Sequence, residues 1–337
     1  MSKLAVTFSI IGCGRIAERH AEHIAKIGKL VSVCDIDKSG ADMFAKKSGA
    51  KAYYEIDDLL AGEVQADVIS ICTPNGLHAE HAVKALRSGH HVLCEKPMAL
   101  TVRDCERMIM ESEKAGKKLF IVKQNRFNPP TVEVKRLLDE GRLGKILSVQ
   151  LNSFWNRNDN YYSTSKWKGT KELDGGALFT QFSHFIDLLY WMFGDIRELH
   201  AFVGNANHPK IEIDDHGVVA LQFESGPIGT IHFSTNSHTK NFEGSLTIFG
   251  EKGTVKIGGE YLNVLEHASI DGYTPPELPR GNTPNNYGTY QGSMSNHDKV
   301  YENLVDVLQN GAAISTSGME GLKTVEIINR IYATGGF

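Results

Sequence analysis

The chain has 337 residues, 41% of them hydrophobic and 23% charged, with a formal net charge of −4. That length accommodates two domains of ordinary size, each with a substantial core. No basic run marks a nucleic-acid footprint, and no apolar stretch approaches the ~20 residues that a membrane span needs.

Leu4–Gly12 is apolar, but it is short and runs directly into a glycine loop, so it is expected to be a first strand rather than a signal-peptide core. The first third alternates regularly. Val6–Ile11, Leu30–Cys34, Asp67–Cys72, His91–Cys94 and Leu119–Lys123 are short apolar runs. Between them, Ile16–Ile27, Ser39–Lys47, His78–Arg87 and Val102–Ala115 have helical spacing. Strand–helix alternation predicts an α/β Rossmann domain, a doubly wound parallel sheet, over residues 1–125.

The pattern changes after Asn125. Pro129–Pro130 and Gly141–Gly144 are turn-rich. Ile146–Phe154, Leu199–Val203, Val218–Phe223, Gly229–Ser234, Ser245–Phe249 and Thr254–Ile257 alternate as strands without intervening helices. One helix is predicted over Ala177–Phe193, two more near Asp298–Gln309 and Glu320–Ala333, and a long loop over Asp271–Gln291. Residues 126–337 are therefore expected to form a second, α+β domain. Its sheet should be large, mostly antiparallel and open-faced, and the final helices are free to pack back toward the first domain.

All five cysteines, Cys13, Cys34, Cys72, Cys94 and Cys105, lie in the first third without a CxxC pair. They suit small buried hydrophobes in a reducing compartment, and a cytoplasmic location is expected. No metal is expected.

Gly12-x-Gly14-x-x-Ala17 follows a strand and opens a helix. The first glycine permits the turn, the second lets backbone approach a pyrophosphate, and the small alanine lets helix and strand pack closely. Asp35 ends the second strand, 23 residues after Gly12. A carboxylate there accepts from both ribose hydroxyls and repels a 2′-phosphate. Ile36, not an arginine, follows it, which favours NAD over NADP. The third and fourth predicted strands end in Thr73–Pro74–Asn75 and Glu95–Lys96–Pro97, at the carboxyl edge where ligands of such sheets bind.

With these motifs, His78, and Asp174–Gly175–Gly176 followed by His184 and Asp187, the sequence resembles the Gfo/Idh/MocA family of NAD(P)-dependent sugar and cyclitol dehydrogenases over nearly its whole length. The resemblance implies that Lys96 stands beside the nicotinamide and the reacting hydroxyl, stabilising alkoxide character. It implies that His184 takes the substrate proton, a task suited to an imidazole near neutral pH. His78 is expected to begin a helix near the cofactor. The implied cofactor set is Gly12, Gly14, Arg15, Ile16, Asp35, Ile36, Thr73, Asn75, His78, Glu95, Lys96, Gln124, Trp167 and Lys168. Many members carry an aspartate four residues before the helix histidine. Here that position is Thr180, with Gln181 next, so a carboxylate partner for His184 is in doubt.

Phe154–Trp155–Asn156–Arg157, Tyr161–Tyr162, Trp167–Lys168–Gly169, Lys123–Gln124–Asn125–Arg126 and Asn241–Phe242–Glu243–Gly244–Ser245 resemble a bacterial branch that oxidises UDP-N-acetylglucosaminuronate. That implies oxidation of the sugar 3-hydroxyl to a 3-keto product for diacetamido uronic acids of surface polysaccharide, such as the lipopolysaccharide O-antigen. The uronate and pyrophosphate are anionic, and Arg126, Arg157, Lys168 and Lys240 are available cations. Tyr161, Tyr162, Trp155 and Trp167 are candidates to pack on sugar or uracil, and Thr180 or Gln181 to orient the sugar beside Lys96 and His184. Some members of the branch reoxidise bound NADH with 2-oxoglutarate, a partner these residues neither select nor reject. The same resemblance implies a second subunit over the open sheet, in a homodimer or homotetramer. The alternatives are a myo-inositol or free-sugar dehydrogenase, an NAD-dependent glycoside hydrolase, and a non-catalytic dinucleotide and sugar sensor.

Overall fold

Short apolar strands separated by amphipathic helices build the first of two units. A computed structural model describes residues 5–63, 65–288 and 290–337. The first unit comprises Met1–Lys123 and His297–Val325, the second Gln124–Asn296 and Glu326–Phe337. The division thus differs from one cut at 125/126, because the chain returns to the first unit at His297.

In chain order the first unit runs β1 (Val6–Ile11), α1 (Arg15–Ile27), β2 (Gly28–Cys34), α2 (Lys38–Ser48), β3 (Lys51–Tyr53), α3 (Ile56–Ala61), β4 (Val68–Ile71), α4 (His78–Arg87), β5 (His91–Cys94), α5 (Val102–Ala115) and β6 (Leu119–Ile121). α1 buries Ala17, His20, His23 and Ile24, one helical face, against the sheet side. β3 and α3 were not expected, since a three-residue strand is too short to show a period. The sheet order is β3-β2-β1-β4-β5-β6, with every neighbouring pair parallel. Strand order therefore reverses between β1 and β4, which opens a crevice beyond their carboxyl ends. β1, β4 and β5 are almost wholly buried, as strands covered on both faces must be.

The second unit begins with α6 (Pro129–Asp139). Turn residues were expected there, but a proline pair at the first helical positions is a start signal, because the missing N–H has no partner to lose. β7 (Ile146–Phe154) and α7 (Asp159–Ser163) follow. The single helix expected over Ala177–Phe193 is two, α8 (Ala177–Thr180) and α9 (Ser183–Phe193), broken at Gln181–Phe182. Then come β8 (Ile196–Gly204), β9 (His216–Phe223), β10 (Ile228–Ser234), β11 (Glu243–Gly250), β12 (Gly253–Gly258) and β13 (Val264–Ile270). The expected loop 271–291 contains β14 (Pro284–Asn286), which pairs with β15 (Gln291–Met294). Two helices close the chain, α10 (His297–Asn310) and α11 (Gly318–Gly335).

The seven-stranded sheet has the order β13-β12-β11-β7-β10-β9-β8. β7 pairs with β10 in parallel, and its other pairs are antiparallel. Val149, Leu151, Val219, Leu221, Phe223, Ile231, Phe233, Leu246 and Ile248 line the buried face. Phe182 against Phe233, Trp155 against Phe185 and Phe193 against Phe223, all with centroids under 6 Å apart, fasten the α8–α9 segment to that face. Each fully buried phenylalanine contributes about 1.5–3 kcal/mol. The other face carries Phe202, Val218, Ile228 and Phe249 among polar neighbours, all exposed within this chain. Among the described residues no helix is long and apolar enough to cross a membrane. All five cysteines are free thiols.

Candidate active site

In the first unit, Gly12 has φ +95° and donates its N–H to the carbonyl of Cys34 at 2.8 Å. A Cβ on Gly12 would stand 2.7 Å from the backbone carbonyl of Cys72 and 2.8 Å from the nitrogen of Thr73. Only glycine fits, both for conformation and for the approach of β1 to the end of β4. Gly14 is the opposite case: a Cβ there would meet nothing within 4 Å, so open space lies over the N-terminus of α1. That cradle fits a pyrophosphate against backbone N–H groups. Arg15 is exposed and begins α1, Ile16 is half-buried, and Ala17 packs inside.

Asp35 joins this loop directly. One carboxylate oxygen accepts the Cys13 N–H at 2.7 Å and the other the Asp37 N–H at 2.9 Å. Ile36 beside it is 87% exposed, an unshielded apolar surface at the strand end. The His78 ring joins the next two loops, with Nδ1 2.7 Å from the Pro97 carbonyl and Nε2 2.8 Å from the Thr73 carbonyl. Burial pushes His78 below the ordinary histidine range. Its place at the start of α4 is the one expected. Thr73 pairs through its hydroxyl with His81, and Asn75 is buried in the turn before α4.

Lys96 is half-buried at the end of β5, and the Lys96–Pro97 peptide is cis. Glu95 was expected among the cofactor ligands, but its carboxylate turns inward. One oxygen lies 2.8 Å from His20 Nε2 and 3.3 Å from His297 Nε2, and the other accepts the Lys96 N–H at 3.1 Å. Burial pushes the Glu95 carboxyl up, yet the two imidazole hydrogen bonds outweigh it and hold the group well below the carboxylate range. His20 and His297 were missed. Their only sequence signal is that His20 falls on the buried stripe of α1.

In the second unit, His184 is 2% exposed in the first turn of α9, and the Gln124 side-chain amide donates to its Nε2 at 3.0 Å. Gln124, expected at the cofactor, thus spends that donor on the histidine. Arg126, expected at the substrate, is buried and delivers both fork nitrogens to Asp187 at 2.7 Å, over the Trp191 ring. A buried bidentate pair fixes α9 to the turn at Gln124–Phe127. Thr180 donates to Asp174, whose carboxyl burial raises to about 6. No carboxylate occupies the position of Thr180.

The helix break supports another cluster. Gln181 accepts from Arg157 Nε at 2.7 Å and donates to the Tyr161 hydroxyl at 2.7 Å. Arg157 is 1% exposed and also donates to the Asn156 and Gln291 carbonyls and to Asn241 Oδ1. Trp155, Tyr161 and Tyr290 surround it, with centroids 5.0–5.2 Å away. Lys168 Nζ stands 3.9 Å from the Tyr161 centroid. Among the described residues none of the Arg157 acceptors is a carboxylate, so the buried positive charge is held there by neutral dipoles and ring faces. Tyr162 packs with Tyr161 and Ile213 in the small core that borders this cluster, Trp167 is half-buried, and Lys240 is exposed ahead of β11.

Gly176 was legible as a motif member but not in its reason. With φ +137°, a Cβ would fall 2.2 Å from the Tyr332 hydroxyl and 2.8 Å from Asp214 Oδ1. Asp214 accepts the first N–H of α8 at 2.9 Å and the Tyr332 hydroxyl at 2.8 Å, and burial raises its carboxyl to about 7. Neither Asp214 nor Tyr332 was singled out in the sequence.

A parallel dinucleotide sheet with a lysine closing its fifth strand, followed by an open antiparallel sheet carrying a buried helix histidine, defines an NAD-dependent oxidoreductase acting on a CH–OH group. Residues 6–123 match the oxidoreductase family with an NAD-binding Rossmann fold, and residues 131–256 match the GFO/IDH/MocA C-terminal domain. The chain belongs to the GFO/IDH/MocA family. It is 34% identical to the WlbA dehydrogenase of Bordetella pertussis, solved with NADH and UDP-GlcNAcA, over 98% of this chain and 96% of that one, with a TM-score of 0.89. It is 33% identical to the WlbA dehydrogenase of Chromobacterium violaceum, also solved with NADH and UDP-GlcNAcA, over 100% and 95%, again with a TM-score of 0.89. An inositol 2-dehydrogenase of Rhizobium meliloti is 25% identical over 96% of this chain and 95% of its own length.

Proposed function

We propose that this enzyme oxidises the 3-hydroxyl of UDP-N-acetyl-D-glucosaminuronate to a 3-keto sugar, using NAD. The observation that carries the reading is the likeness, at 33–34% identity over nearly the full length, to two dehydrogenases solved with that nucleotide sugar. Arg157 supports it. A guanidinium buried without a carboxylate keeps an uncompensated positive potential in the second unit, which favours an anionic substrate over a neutral polyol.

Gly12, Gly14 and the N-terminus of α1 would hold the dinucleotide pyrophosphate, and Asp35 the adenosine ribose. Bound NAD supplies the acceptor for the hydride that leaves the sugar carbon. Lys96 would orient the hydroxyl and stabilise negative charge on its oxygen, and His184 would take the proton at Nε2 as the Gln124 amide, which donates to that nitrogen, gives up its hydrogen bond to the substrate hydroxyl. With a threonine rather than an aspartate four residues before His184, Thr180 and Gln181 are left orienting roles. Arg126, committed to Asp187, would position α9 and leave anion recognition to Arg157 and Lys168. The enzyme would act in the cytoplasm as a homodimer or homotetramer, supply 3-keto sugar for diacetamido uronic acids of surface polysaccharide, and release or recycle NADH, with 2-oxoglutarate as the candidate oxidant.

Purified enzyme with NAD is to be assayed against UDP-N-acetylglucosaminuronate, UDP-N-acetylglucosamine and myo-inositol. Turnover of the uronate well above the other two is expected. Turnover of inositol alone would refute the proposal in favour of the polyol reading, and glycosidic cleavage without net NADH would identify a hydrolase. Adding 2-oxoglutarate to enzyme carrying NADH tests the recycling step by loss of NADH absorbance.

A further inference from the structure

The most heavily buried cluster of titratable groups in the first unit lies behind Lys96 and has no role in the chemistry above. His20 comes from α1, Ser70 from β4, Glu95 from the end of β5, and His297 and Tyr301 from α10. All five are buried. Tyr301 lies 2.6 Å from His20 Nδ1 and 3.1 Å from the Ser70 hydroxyl. Its ring also stands edge-on to His20 and to Phe8 of β1.

We infer that His20 and His297 are positioning residues for Lys96: both donate Nε2–H to one oxygen of Glu95, whose other oxygen holds the Lys96 backbone N–H. Hydrogen-bond inventory orders the protons. An ionised carboxylate only accepts, so each facing Nε2 carries a hydrogen. In a neutral His20 ring the Nδ1 is then an acceptor, so the Tyr301 hydroxyl donates to it and accepts in turn from Ser70. Burial lowers His20, which keeps that ring neutral. The glycine-loop helix, the lysine strand and α10 thereby share one chain of directed hydrogen bonds. The backbone of Lys96 is set by this chain rather than by solvent, so its ammonium leaves the sheet from a fixed point.

The three facing atoms of His20, Glu95 and His297 lie within 4.8 Å of one another, close enough to chelate a metal ion. A metal needs the Nε2 lone pairs of both rings, the reverse of the tautomers the hydrogen bonds require. The two arrangements are therefore separable by where the ring protons sit.

The inference rests on the dehydrogenase activity, not on the identity of the sugar. The test pairs His297→Leu with His297→Gln, whose amide N–H falls near the lost Nε2–H, and His20→Leu with His20→Gln. The leucine variants are expected to lose about tenfold or more in kcat, since a small misplacement of a catalytic group costs on that order. NADH affinity by fluorescence should stay within about twofold. The glutamine variants should recover most of kcat. Leucine variants with undiminished kcat, or glutamine variants no better than leucine, would overturn the inference. Wild-type turnover of each candidate sugar is the separate control on the substrate. Independently of turnover, histidine ring 15N NMR of the full-length enzyme between pH 6 and 9 should show the His20 ring as the neutral Nε2–H tautomer and the His297 ring carrying hydrogen at Nε2, both unchanged by added zinc. A His20 imidazolium at neutral pH, a neutral Nδ1–H tautomer of either ring, or tight zinc binding would each sink the proton order and the positioning role with it.

Discussion

The side-chain amide of Gln124 donates to Nε2 of His184 across 3.0 Å, and both side chains are almost fully buried. That hydrogen bond needs an unprotonated Nε2, the neutral tautomer of a general base, and it occupies the ring's lone pair until the amide gives way to substrate. His184→Ala is expected to lower kcat by about 10²–10⁴ without weakening NADH binding, read by steady-state absorbance and fluorescence titration. Gln124→Leu should cost less and should shift the acid limb of the kcat profile, because it changes only what the ring faces.

The two glycines of the dinucleotide loop make different predictions. Gly12→Ala combines φ +95° with a 2.7 Å collision against Cys72 backbone, so the fold itself should suffer, by about 1–3 kcal/mol or more. Gly14→Ala meets open space. Its Tm should be unchanged while NADH affinity falls, because the added methyl fills the cradle and nothing else. Equal effects of the two on Tm would contradict this assignment.

Asp35→Ala removes a carboxylate that also accepts the Cys13 and Asp37 N–H groups. NADH should weaken much more than NADPH in parallel titrations. Equal losses would mean that the residue only shapes the loop.

Two carboxyls flank Gly175–Gly176, and burial raises both, Asp174 to about 6 and Asp214 to about 7. An unfolded aspartate titrates near 3.9, so the folded state holds these protons longer. Stability then falls as pH rises from about 4 to about 7 and levels off above. Asp214→Asn keeps an acceptor for Ala177 and Tyr332 but cannot ionise, and should flatten that part of the Tm-against-pH curve.

The exposed face of the seven-stranded sheet carries Phe202, 85% exposed, paired across strands with Val218. If a second copy covers this face, Phe202→Asp with Val218→Asp should lower the sedimenting mass to that of one chain while each monomer keeps its fold. An unchanged mass would place the subunit contact elsewhere.

The longer helices of the first unit were legible through their 3.6-residue period, and β1, β2, β4, β5 and β6 as short apolar runs between them. β3 is Lys-Ala-Tyr, with one buried residue and no apolar run to mark it. α6 was hidden by Pro129–Pro130, which begins a helix as readily as it makes a turn. The catalytic candidates Lys96 and His184 announced themselves through local motifs. Their supports did not, because Arg126–Asp187 spans 61 residues and His297–Glu95 spans 202, and nothing local marks such pairs. Arg126 therefore looked like a free cation in the sequence and is a buried brace in the structure. The break at Gln181 was unreadable for a similar reason, since it serves Arg157 and Tyr161, on segments far upstream.

The neutral shell around Arg157 makes Gln181 a lever on selectivity. Its side-chain oxygen is 2.7 Å from the guanidinium, and glutamate differs from glutamine there by a charge and hardly by shape. Gln181→Glu would turn an open electrostatic account into a closed internal pair. An enzyme altered in that one position would be left with Lys168 alone to prefer an acid sugar, and a lineage that drifted between glutamine and glutamate could move toward uncharged substrates without rebuilding its fold.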